Sequence, residues 1–287
     1  MIQMGAYSLN INGKLLDLTV PGVMGIINVT PDSFYATYGD DISAVLSAVR
    51  SMLADGASLL DIGGCSTRPG SSPVSAEEEL RRLDTALSAI SKVMPMAPLS
   101  IDTFRAEVAQ NMIERYDVAM INDISGGDEA MYDVVAENHV AYVLTHNDVN
   151  NTEPDEAKYI ASVLKWLERR VARLFDKGVA DVVVDPGFGF GKTLQQNYHL
   201  LRNIDVLHSL DCPVLVGLSH KSMLYKLLGI SANDADHATT AANTIALTRG
   251  ADILRVHDVK HAAQAVKVFC EAGVSSREAL TIRQFTI

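Results

Sequence analysis

The chain has 287 residues, 48% of them hydrophobic, enough for one large α/β domain with a sizeable core. Its 24 Lys and Arg against 35 Asp and Glu leave a formal charge of −11, which excludes a sequence-wide pull toward nucleic acid or an anionic membrane surface. No stretch approaches the roughly 20 unbroken apolar residues of a bilayer span, the first residues show no export signal, and Cys65, Cys212 and Cys270 are too scattered for a disulfide framework, so a cytoplasmic protein is expected.

In chain order, residues 6–18 read as a β-hairpin turning at Asn12-Gly13, placed to cover the bottom of a barrel built from the later segments. The first strand run is 23–29 (VMGIINV), followed by a helical period through Ile42, Val45, Leu46, Val49, Met52 and Leu53 that stops at Gly56. The second run, 59–62 (LLDI), leads to a helix opened by a Ser75/Glu78 capping-box pair, with Leu80, Leu83, Leu87 and Ile90 on one face. Runs at 98–102, 118–122, 140–145 and 181–185 then alternate with helical patterns at 104–116, 128–138, 155–178 and 192–209. The last runs are 213–218 and 252–256, with helices at 236–249 and 258–272. Most runs lack strict alternation, as strands buried on both faces of a parallel sheet do. Eight strand-then-helix units over roughly 250 residues match a (β/α)8 TIM barrel, with a doubly wound open sheet as the alternative. A single domain over 1–287 is expected, the barrel occupying about 20–275, with no linker or low-complexity stretch.

In such a barrel chemistry gathers at the C-terminal ends of the strands. The first strand ends in Asn28, the second runs through Asp61 into Gly63-Gly64-Cys65-Ser66-Thr67-Arg68-Pro69-Gly70, and the third and fourth end in Asp102 and Asn122-Asp123. The sixth ends in Asp185, the seventh in Ser219-His220-Lys221, and the eighth in Arg255 and His257. Any one of these could be a structural ion pair at the rim; seven strand ends together favour a site. Asp102, Asn122 and Asp185 are equipped to read the edge of a heterocycle with several N–H donors. Lys221, Arg68, Arg255 and His257 suit an anionic group or a departing phosphate. Asn28 either holds Mg²⁺ through its amide oxygen or hydrogen-bonds the neighbouring loop.

The run 186–193, P-G-F-G-F-G-K-T, fails both nucleotide fingerprints, with Pro186 where a Walker A loop needs Gly and Lys192 where a dinucleotide loop needs Gly or Ala. Its glycines instead permit positive φ and close backbone approach to a ligand, with Phe188 and Phe190 as apolar walls. His257 and His261 lack the Glu of H-E-x-x-H, which argues against zinc, and Trp166 reads as helix packing.

The blocks 25–34 (GIINVTPDSF), 61–64 with 66–70, 100–103 (SIDT), 121–127 (INDISGG), 185–193, 219–222 (SHKS) and 255–259 (RVHDV) together resemble the dihydropteroate synthase family from about residue 23 to 270. The resemblance implies a (β/α)8 enzyme of folate biosynthesis, commonly a homodimer, that joins 4-aminobenzoate to 6-hydroxymethyl-7,8-dihydropterin diphosphate by dissociative displacement at the pterin methylene. On it Asp102, Asn122, Asp185 and Lys221 correspond to the pterin pocket and Arg255 to a residue stacking on the pterin. Asn28, Arg68 and His257, with Thr67 nearby, correspond to the diphosphate and Mg²⁺ end. Phe34, Pro69, Phe190, Lys221 and Ser219 correspond to the aminobenzoate side, where sulfonamides compete in that family. Lys221, Arg255, His257 and Arg68 are then the expected catalytic groups. The chain departs from the pattern at His220, where the family commonly has Arg, at Leu144-Thr145-His146-Asn147, and in the loop after Phe34. A neutral imidazole at 220 is expected to weaken any anion contact there.

Overall fold

The computed structural model describes residues 7–30, 41–65, 74–150 and 152–273. Strands β1 (Ser8–Ile11) and β2 (Lys14–Asp17) form the expected hairpin, with Ile11 opposite Lys14 and Asn12 and Gly13 at φ +52° and +76°. Two left-handed residues in succession are what a type I′ turn demands, and Asn-Gly meets that demand with least strain.

Eight parallel strands succeed the hairpin: β3 (Gly22–Asn28), β4 (Leu59–Gly63), β5 (Leu99–Asp102), β6 (Val118–Asp123), β7 (Ala141–Thr145), β8 (Val182–Asp185), β9 (Leu215–Val216) and β10 (Ile253–Val256). Their order is β8-β7-β6-β5-β4-β3-β10-β9, and a parallel bridge between Val184 and Val214 brings the two ends together, giving a nearly closed barrel instead of an open doubly wound sheet. β9 is shorter than the run 213–218 because Pro213 has no N–H and the N–H of Val214 is taken by the Asp252 carboxylate at 2.8 Å.

Helices α1 (Ile42–Ala54), α2 (Ala76–Val93), α3 (Ala106–Arg115), α4 (Glu129–Glu137), α5 (Glu156–Asp176), α6 (Leu194–Arg202), α7 (Ser222–Leu228), α8 (Asp236–Thr248) and α9 (Val259–Glu271) pack around it. The single helix expected over 192–209 divides at Asn203, whose Nδ2 caps the His199 carbonyl at 2.8 Å; a 3₁₀ turn, Ile204–Leu210, comes next. Helix α7 escaped the sequence reading because seven residues are too few to show a period. The Ser75/Glu78 pair forms only half its box: Ser75 accepts the Glu78 N–H, but the Glu78 carboxylate holds Arg81 and Arg82 instead. The complete capping box is at Thr193 and Gln196.

The strands divide two apolar layers. Outward residues such as Ile27, Ile62, Ile101, Ile121, Leu144 and Val184 pack against the helices. Inward residues at the N-terminal half, Met24, Leu59, Met120, Val143, Val183, Leu215 and Ile253, fill the barrel, and Leu9, Ile11 and Leu18 close it from below. The hairpin therefore occupies the bottom, and the inward positions at the opposite end are left to polar residues.

Candidate active site

The barrel strands bury both faces, yet the inward face changes from apolar to polar with period two as each nears its C-terminus. Register places Asp61 opposite Ser100, Asp102 opposite Asn122, and Thr145 opposite Asp185, so these groups form a ring at one end. A cavity of about 770 Å³ opens above it, reached by Asn28, Asp102, Phe190, Lys221, Arg255 and His257. That is the size of a small-molecule site.

At the floor, Asp61 is fully buried and committed on both oxygens: Oδ1 accepts from Ser100 Oγ at 2.7 Å, and Oδ2 from Asn122 Nδ2 at 2.8 Å and Arg255 Nε at 2.6 Å. A terminal nitrogen of Arg255 also donates to Asp102 Oδ2 at 2.5 Å. Burial works against the guanidinium charge, but Asp61 and Asp102 together hold Arg255 above its ordinary value. Burial pushes the Asp102 carboxyl up to about 7, with Arg255 opposing and Asp61 adding to the rise. A structural ion pair at the rim is thus real, and it is also what orients Arg255, whose side chain remains 18% exposed to the cavity.

Across the mouth Asp185 accepts the Gly187 N–H at 2.7 Å. Burial raises its carboxyl, opposed by that N–H and by the charges of Lys221, Arg255 and Lys192. The two carboxylates, 102 and 185, therefore share one rim with the Lys221 ammonium, which also stands 4.7 Å above the Phe190 ring.

The glycine loop after β8 takes positive φ at Gly187, Gly189 and Gly191 as expected. At Gly187 the close approach is not to a ligand: a Cβ would lie 2.0 Å from the His146 carbonyl oxygen. Phe188 is no cavity wall either; it is 1% exposed and belongs to the outer core, while Phe190 does face the cavity. Lys192, which the sequence left without a role, donates to the carbonyls of His146, Gly187 and Phe190 at 3.1, 2.8 and 3.2 Å. Burial pushes its amine down to about 7, Asp185 pulling it back up.

At the β10 side, Ser219 Oγ meets His257 Nδ1 at 3.0 Å and accepts the His257 N–H at 3.3 Å. His220, which departs from the family pattern, lines the cavity with its imidazole tied down. Its Nδ1 lies 2.6 Å from the Ala232 carbonyl and its Nε2 3.2 Å from Asp236 Oδ1. The altered β7 end points Thr145 inward, while His146 turns against Trp166 at 4.8 Å, with burial pushing it down to about 3 and so keeping it neutral. Trp166 is a packing residue, as its sequence neighbourhood indicates.

Asn28, Asp102, Asn122, Asp185, Ser219, Lys221, Arg255, His257 and Phe190 are gathered at this end; Phe34, Thr67, Arg68 and Pro69 lie outside the described residues. The sequence reading missed Asp61 as an organiser. Its signal was a carboxylate in the middle of an apolar run, LLDI, where only a buried partner can hold it. Among the described residues no three His, Cys, Asp or Glu side chains form a group that could hold a metal ion.

The open end of the barrel thus sets buried carboxylates beside cations at the edge of one cavity. In keeping with this, residues 24–257 match the model of the family described as pterin binding enzyme. The dihydropteroate synthase of Escherichia coli (strain K12) is 39% identical over 275 residues, covering 93% of this chain and 96% of that one. The Xanthomonas albilineans dihydropteroate synthase solved with 4-aminobenzoic acid superposes with a TM-score of 0.85 at 36% identity, covering 94% of this chain and 99% of that one. The Thermus thermophilus dihydropteroate synthase in complex with 6HMPPP gives 0.79 at 35% identity, covering 92% and 99%. The chain belongs to the dihydropteroate synthase family, transferases of folate biosynthesis.

Proposed function

We propose that the mouth of this barrel joins the amine of 4-aminobenzoate to the methylene of 6-hydroxymethyl-7,8-dihydropterin diphosphate, forming 7,8-dihydropteroate and diphosphate. The observation that carries this reading is the convergence of Asp102, Lys221, Arg255, His257 and Phe190 on one cavity, with buried Asp185 within reach of the charges of Lys221 and Arg255. Asp102, Asn122 and Asp185 accept and orient the polar edge of the pterin, and Arg255, held flat by Asp61 and Asp102, lies against the ring. The C–O bond to diphosphate breaks with its electron pair leaving on oxygen. The aniline nitrogen then attacks the electron-poor methylene and gives up its extra proton to solvent. Arg255 and His257 meet the growing anionic charge, and Phe190, Ser219 and Lys221 form the aminobenzoate side; on the family resemblance Arg68 and Thr67 would serve the former and Phe34 and Pro69 the latter.

Asn28, which ends β3 and lines the cavity, is the residue whose amide oxygen would hold Mg²⁺. A single neutral amide would leave most of the coordination of such an ion to diphosphate oxygens and water. When bound it would add charge neutralisation to the leaving group.

A homodimer is supported by Leu194, Leu227, Leu228 and Ile245, which are 43–57% exposed on the mutually contacting helices α6, α7 and α8. Leu227→Glu should then shift sedimentation to the monomer. No helix among the described residues is long and apolar enough to cross a membrane, and all three cysteines are unbridged, in keeping with a reducing cytoplasm. The deciding experiment measures diphosphate release with purified protein. Release that requires both substrates supports the proposal; release without 4-aminobenzoate, or none at all, refutes it.

A further inference from the structure

The turn from β9 into α7 is built around a residue in an unfavourable conformation. His220 has φ +53°, in a turn closed by the Lys221 N–H on the Leu218 carbonyl at 3.2 Å. A non-glycine residue there persists only where its surroundings over-determine it. Here they do so from three directions: the His220 N–H donates to Thr239 Oγ1 at 3.1 Å, Nδ1 meets the Ala232 carbonyl, and Nε2 meets Asp236 Oδ1. Asp236 is the first residue of α8, where the helix end favours a carboxylate.

Both neighbours of His220 face the mouth. Ser219 holds His257 Nδ1, and Lys221 stands over Phe190. The His220 ring itself packs edge-on against the His257 ring, centroids 5.8 Å apart at 72°. One side chain, 7% exposed, therefore ties three mouth residues to Ala232 and Asp236.

We propose that His220, braced by the Ala232 carbonyl and Asp236, is the positioning residue that sets Ser219, Lys221 and His257 relative to one another. Both ring nitrogens face acceptors, so each donates when the ring carries two protons. An arginine fork can donate in both directions as well. Asparagine tolerates positive φ but is too short to reach both acceptors, so it removes the brace while sparing the backbone. The inference rests on the proposed condensation for its kinetic readout alone.

The test compares His220→Asn with His220→Arg by steady-state kinetics, thermal unfolding and ¹⁵N-histidine NMR of the full chain. The expected result for His220→Asn is a kcat lower by about ten- to a hundredfold, the loss a misplacement near 1 Å brings. The melting temperature should be little changed, the His257 ring-nitrogen shifts altered, and most of kcat recovered in His220→Arg. Wild-type kcat and His257 shifts in His220→Asn would overturn the proposal. So would equal losses in both variants that merely track unfolding, since a structural role alone would produce them. Were the wild type to form no dihydropteroate, the condensation reading would fail, and the His257 shifts in His220→Asn would still decide the positioning role.

Discussion

Asp61 is fully buried, and Ser100, Asn122 and Arg255 hold both its oxygens. Its effect on chemistry is therefore exerted through Arg255 and Asn122. Asp61→Asn keeps the shape but removes the charge and turns an amide N–H₂ toward a donor. We expect kcat/KM to fall at least a hundredfold and unfolding free energy to drop by about 1.5–3 kcal/mol, the worth of a charged hydrogen bond lost while Asp102 still holds Arg255; wild-type values in both would show that Arg255 is held otherwise. Asp102 makes a pH prediction. Its folded value of about 7 lies above the ordinary 3.8, so the folded protein binds this proton more tightly than the unfolded chain. Its contribution to stability is then full at low pH and declines as pH rises from about 4 through 7. Reading pterin N–H donors requires the ionised form, so pterin affinity measured by calorimetry should rise through about pH 7 and level off above it. An affinity independent of pH across that range would mean that Arg255 keeps Asp102 ionised throughout.

At the scale of elements, the loop between β8 and α6 is held by one buried ammonium. Lys192 gathers three carbonyls, of which that of Gly187 also accepts the Phe190 N–H at 3.2 Å, and in doing so draws the end of β7 toward the turn that carries Phe190. Its place in a glycine-rich run disguised this, since the motif invites comparison with phosphate loops, whereas here the lysine faces backbone. Lys192→Met preserves length and removes the donor. The expected outcome is a loss of about 2–3 kcal/mol in denaturant unfolding, for carbonyls left unpaired, and a KM for 4-aminobenzoate raised about tenfold as the Phe190 wall loosens. A variant with normal KM and normal stability would place the loop's order in its glycines and capping box alone.

Across the whole molecule the two ends of the barrel do different work. The hairpin side chains Leu9, Ile11 and Leu18 complete the apolar filling at the bottom, and the Tyr7 ring stacks on His208 beside it, 5.8 Å between centroids. The polar ring and cavity lie at the other end, separated by the layer of Met24, Leu59, Met120 and Val183. Leu9 is 1% exposed, so Leu9→Ala should cost about 3 kcal/mol. Both substrate KM values should stay as in the wild type, measured below the unfolding temperature; a raised KM would show that the floor of the barrel transmits strain to its mouth.

Much of this was legible in the chain itself because it depends on local chemistry. Runs of β-branched residues, a helical period, an Asn-Gly turn and polar residues at strand ends are all short-range signals, and they were enough to give the barrel, its hairpin and the ring of Asp102, Asn122, Asp185, Lys221, Arg255 and His257. What only the tertiary structure decided was who pairs with whom. Asp61 and Arg255 are 194 positions apart, Ser219 and His257 are 38, and their contacts exist because barrel register brings strand ends together. Separation also hid the His146 carbonyl, 46 positions from Lys192, whereas the Gly187 and Phe190 carbonyls lie 5 and 2 positions away in a loop whose path no short-range period fixes. Composition decides that buried charges must find partners, and closure of the sheet decides which ones they find.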